Sequence, residues 1–144
     1  MTPDGRSPDP QSPVPGARVR LPDRRPSVPQ PFDWAGWHWL AGIGFTPHGT
    51  AGEVFLDCTS PDCPQGFVQL GQDLAILVSH HLQRGVTPRA LAAWLGRPGL
   101  PPDHPQQGLA ARLAHVVVDV EARDGAAMRE AYRLTAARQR GELS

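Results

Sequence analysis

The sequence predicts an α+β domain: a small antiparallel β-hairpin, with a third extended strand available from the arm before it, packed on three to four helices. Three observations predict it. Residues 37–45 and 51–58 alternate large apolar side chains with small or polar ones, the pattern of a half-buried strand. From Phe67 onward the apolar spacing changes to three and four, the period of a helix facing a core. Glycine and proline turn signals separate these stretches.

Before the first element lies a segment of different composition. The chain has 144 residues and 17 prolines, and nine of those prolines fall within the first 31 residues. Residues 1–17, MTPDGRSPDPQSPVPGA, lack the apolar area that would offset their ordering entropy and read as a disordered tail. Residues 18–31 read as an extended arm on the domain. Val19 and Leu21 alternate with Arg18 and Arg20, while four prolines speak against a regular ladder. The folded domain is expected over 32–123, with a further helix over 124–144.

Within the domain, Ala35-Gly36 is a tight-turn pair between two aromatic-bearing segments. Trp37, Trp39, Ala41, Ile43 and Phe45 share one strand face. After the loop TPHGT comes AGEVFLDC, with Val54 and Leu56 on one face and Glu53, Phe55 and Asp57 on the other. A central helix follows. Phe67, Leu70, Leu74, Leu77 and Val78 form its stripe, with Leu74 and Leu77 at the middle, and Val68, Ile76 and Leu82 widen it. Gln69, Gln72, Asp73, His80 and Arg84 form its wet side, and Gly85 closes it. Thr87-Pro88 supplies an N-cap and first-turn pair for a short helix through Leu91, Trp94 and Leu95, ended by Gly96. A proline-rich loop, 97–107, leads to Leu109, Leu113, Val116, Val117 and Val120. That is a helical stripe, although the Val116–Val118 run also suits a strand. The last segment is rich in helix formers and poor in large apolar groups, hence a largely solvated helix.

Charge narrows the function classes. The formal net charge is zero, but residues 1–31 carry five Arg against three Asp and residues 123–144 five Arg against three acids. Residues 32–122 carry four Arg against eight acids. A nucleic-acid binder concentrates positive charge on its folded part, so an acidic domain argues against that role. All fourteen basic residues are Arg, which fits GC-rich coding. No apolar run reaches the ~20 residues that span a bilayer, so a soluble, cytoplasmic protein is expected. In a reducing compartment the two cysteines are expected as free thiols or ligands.

One stretch resembles a known family. GEVFLD, a small-residue loop, and then LGQDLAILVSHHLQRGVTPRALAAWLG resemble the C-terminal TSCPD-type domain of class II, adenosylcobalamin-dependent ribonucleotide reductases. The matching helix positions are Ala75, Ile76, Val78, Ser79, Leu82, Gly85, Val86 and Pro88, and PQQGLAARLAHVV resembles that domain's following helix, with His115 where the family pattern has an acid. The resemblance covers roughly residues 50–120. It implies a stand-alone accessory domain that acts by protein–protein contact and is linked to deoxyribonucleotide synthesis. The reductases' catalytic barrel does not fit into 144 residues, so no catalytic residue, cofactor or reductase activity carries over.

The candidate sites are few. Cys58 and Cys63 could be metal ligands, a redox pair or turn residues. A structural zinc site needs four ligands, and here only His80 or His81 could join the two thiols. Ser60-Pro61-Asp62 supports the turn reading, as an N-cap and first-turn sequence. Asp57 and Asp73 could form an acid pair, Trp34, Trp37 and Trp39 a stacking platform, and Arg24-Arg25 a phosphate clamp. Each has a bland counterpart in capping, packing or solvation. The sequence therefore predicts no catalytic, cofactor or metal residue, and a protein partner or a second copy as the ligand. The alternative is a small metal- or nucleic-acid-binding regulator using Cys58, Cys63 and the Arg-rich arms.

Overall fold

The computed structural model describes residues 26–142. The tail over 1–17, residues 18–25 of the arm expected over 18–31, and the Arg24-Arg25 pair lie outside the described residues. Within them the chain forms three strands and three helices: β1 (Ser27–Trp34), β2 (Trp37–Phe45), β3 (Ala51–Cys58), α1 (Gln65–Gln83), α2 (Pro88–Leu95) and α3 (Leu109–Gln139). The sheet is antiparallel in the order β1-β2-β3. This is the expected α+β class, with the third strand supplied by the segment before the hairpin.

Ala35 and Gly36 make the turn between β1 and β2, both at positive φ (56° and 82°), as a type I′ hairpin turn requires. This turn fixes the register, and the register explains how β1 accommodates its prolines. Trp34↔Trp37 closes the hairpin, so Phe32↔Trp39, Gln30↔Ala41 and Val28↔Ile43 are the pairs that exchange hydrogen bonds. Pro29 and Pro31 fall between them, where a backbone nitrogen points to the free edge and no donor is needed. The expectation that prolines would break the ladder fails for this reason of parity.

The inner face of the sheet carries Phe32, Trp39, Ala41, Ile43, Phe45, Val54 and Leu56, all buried. The first half of α3 covers this face with Leu113, Val117 and Val120, and α2 packs against α3. α1 lies along β3. Its closest approach is at Gly71, where an added Cβ would meet Trp39 Cζ3 at 2.8 Å and Leu56 Cδ2 at 3.2 Å.

Three expectations need correction. First, the buried stripe of α1 is Gly71, Ala75, Val78, Ser79, Leu82 and Gln83, whereas Phe67, Leu70, Ile76 and Leu77 are exposed. The helix is rotated from the expected face because its small residues permit close contact with β3. Second, Ser60 does not cap α1. The helix begins after Pro64 without a side-chain cap, and Ser60 Oγ instead accepts from His38 N at 2.8 Å. Third, the helices expected over 108–123 and 124–144 are one helix of 31 residues. Gly125 does not break it. This glycine is buried against the 46–50 loop, where a Cβ would stand 2.5 Å from Gly49 O. The Val116–Val118 run is helical. Thr87 caps α2 as expected, its Oγ1 accepting from Ala90 N at 3.1 Å.

Candidate functional site

Among the described residues no helix covers the outer face of the sheet. By alternation it presents Pro29 from β1, Leu40 and Gly42 from β2, and Glu53, Phe55 and Asp57 from β3. Beside it, α1 presents Gln72, Ile76 and His80, which stand at i, i+4 and i+8 in one row. Together these residues line a groove of about 640 Å³. Its walls are apolar, with Phe55 61% and Ile76 55% exposed, and Glu53 and Asp57 flank Phe55 along β3. Large apolar side chains gathered on one exposed surface mark an interaction site, whereas singly scattered ones do not.

The floor of the groove is tied to α1 by hydrogen bonds. Along β3, the backbone groups of Gly52 and Val54 point away from β2. Ser79 Oγ accepts from Val54 N at 2.8 Å, and Gln83 Nε2 donates to Gly52 O at 3.0 Å. Two polar side chains on the buried row of α1 thus complete the edge of the sheet and hold the helix that forms the far wall.

At one end of the hairpin lies a second cluster. Cys58 and Cys63 form no disulfide here and lie half-buried against the core. Burial pushes the Cys63 thiol up from 9.0 to about 11, and the adjacent Cys58 thiol, then Asp62 and Asp57, act in the same direction. Neither His80 nor His81 joins them. Both sit in the last turn of α1, whose length at about 1.5 Å per residue puts roughly 25 Å between them and Cys63. His80 lines the groove and His81 Nδ1 donates to Leu77 O at 2.8 Å. Among the described residues no three His, Cys, Asp or Glu side chains are grouped to hold a metal ion.

The remaining candidates separate. Asp57 lines the groove, while Asp73 does not, so the two form no acid pair there. Trp39 is buried and meets Trp34 edge-on at 6.3 Å, Trp34 Nε1 donates to Gln107 O at 2.8 Å, and Trp37 packs on Phe67 at 5.1 Å. The three indoles are thus engaged by the protein itself and form no open platform. The sequence reading missed the groove. It treated Ile76 as core and passed over Phe55. The available signal was an aromatic side chain on the polar face of a strand, between two acids.

Compared with family models, curated proteins and solved structures, the chain matches none. Among the described residues no helix is long and apolar enough to cross a membrane.

Proposed function

We propose that this chain is a non-catalytic docking domain that binds a protein partner in the groove between the outer face of β3 and α1. The observation that carries the reading is the convergence of Leu40, Phe55 and Ile76, three exposed apolar side chains from three elements, on one groove flanked by Glu53 and Asp57. That chemistry suits a partner segment with apolar side chains and basic flanks. The TSCPD-type pattern over residues 50–120 supports a partner that acts in deoxyribonucleotide synthesis. The groove lies within that stretch apart from Leu40, Gly42 and Pro29. The absence of a grouped metal set among the described residues gives the metal-regulator alternative no comparable support.

The test is affinity capture from the native cell with identification by mass spectrometry, using wild type, Phe55→Asp and Ile76→Asp. Both side chains are more than half exposed, so the variants are expected to melt like wild type. Wild type is expected to retain a component of nucleotide reduction that both variants lose. The reading fails if the two variants retain every partner that wild type captures.

A further inference from the structure

The backbone at the end of the hairpin explains why two thiols five positions apart lie together. Cys58 ends β3 and is held opposite Trp39 by the ladder. Thr59 N donates to His38 O at 2.8 Å, and Ser60 Oγ takes His38 N, so the strand is fixed one residue beyond Cys58. The chain then reverses. Cys63 N donates to Ser60 O at 3.2 Å, with Pro61 and Asp62 at the central positions of the turn, where Pro presets the backbone. The turn returns Cys63 to the side of Cys58, and both side chains lie half-buried against the same core. These two residues are all the cysteine in the chain. Burial is the first cause of the upward displacement of the Cys63 thiol, and the second, a side-chain hydrogen bond with Cys58, reflects the same closeness.

We propose that Cys58 and Cys63 form a dithiol site that reduces low-molecular-weight disulfides and closes into an intramolecular Cys58–Cys63 disulfide. The exchange balances. Cys58 loses its proton and attacks a sulfur of the external disulfide, because the thiolate is the nucleophile and Cys63 is the thiol that its surroundings hold protonated. That S–S bond breaks, and one half leaves as a thiolate and takes up a proton, which leaves a mixed disulfide on the protein. The second protein thiol loses its proton and attacks the protein sulfur of the mixed disulfide, and the other half leaves as a thiol. Two protein thiols are oxidised to one disulfide, and one external disulfide is reduced to two thiols. The second attack is intramolecular, and the 60–63 turn has already positioned its sulfur, so the mixed disulfide does not accumulate. The new bond ties the end of β3 to the residues that open α1. This site stands apart from the groove and does not rest on the docking reading.

The experiment uses the folded, reduced chain and oxidised glutathione as the probe disulfide. Samples are quenched in acid, alkylated under denaturing conditions and weighed by intact-mass spectrometry. Wild type is expected to lose two hydrogens, accept no alkyl group and carry no glutathione, and dithiothreitol should restore two alkylatable thiols. Cys58→Ser and Cys63→Ser, each left with one thiol and none to resolve the adduct, are each expected to keep one glutathione. The proposal is overturned if wild type accumulates a lasting glutathione adduct or disulfide-linked dimers. It is equally overturned if the folded chain keeps both thiols under conditions that oxidise the denatured chain.

Discussion

Gly71 sets how closely α1 can approach the sheet. Its missing side chain admits Trp39 and Leu56 at distances no Cβ tolerates without a shift. Gly71→Ala would gain helix propensity of about 1 kcal/mol, yet it pushes against a fully buried indole. Overpacking of this kind costs about 1–3 kcal/mol, so the variant should be no more stable than wild type, and at the upper end clearly less, in urea titration. Cys63 offers a second residue-level test. Its folded value, about 11, lies above the ordinary 9.0. The neutral thiol therefore contributes stability that is fully present below about pH 9 and lost as pH rises through about 11. Thermal melts of wild type and Cys63→Ser across that window should converge towards the alkaline end, with wild type losing more. Gln107 shows how much one polar residue can organise. It is buried, its Oε1 accepts from Arg97 N at 2.9 Å and its backbone carbonyl accepts from the Trp34 indole at 2.8 Å, which closes the proline-rich loop onto β1.

Among the elements, α1 makes the sharpest prediction. Leu82 is buried and Leu77 is 56% exposed. Leu82→Ala should cost about 2–5 kcal/mol through the cavity it leaves, whereas Leu77→Ala should stay within about 0.5 kcal/mol. Equal losses in chemical denaturation would contradict the rotation of α1 described above. That rotation also shows what was legible in the sequence. Period two in β2 and β3 assigned their faces correctly, because strand alternation leaves two choices and Trp39, Ile43 and Phe45 decide between them. The α1 stripe was harder. Large apolar residues occur around most of the helix, and the contact with β3 is made through Gly71, Ala75 and Ser79, which hydropathy ranks low. The groove was hidden for the same reason, since Ile76 counted as core until the helix was turned. In α3, the change at residue 124 to a segment poor in large apolar groups divided the helix in two, and the packing of Gly125 on Gly49 shows how it continues.

For the whole molecule, the backbone contact between Gly49 and Gly125 joins the second half of α3 to the sheet, helped by Tyr132, whose hydroxyl donates to Phe45 O at 2.6 Å. Gly125→Ala would place a Cβ against a backbone oxygen that cannot rotate aside. It should lower the melting temperature despite the helix propensity it adds, and hydrogen exchange should quicken in the 46–50 loop before it does in the core. The two borders of the sheet have a consequence for behaviour in a crowded cell. An open strand edge invites another chain to add itself and then another, which is how soluble β-proteins begin to aggregate. Here β1 turns the nitrogens of Pro29 and Pro31 outward, where they have no hydrogen to offer, and β3 has Ser79 and Gln83 bonded along its border. Growth by edge addition is thereby opposed on both sides, and the domain can leave an apolar groove exposed without becoming a template for filaments.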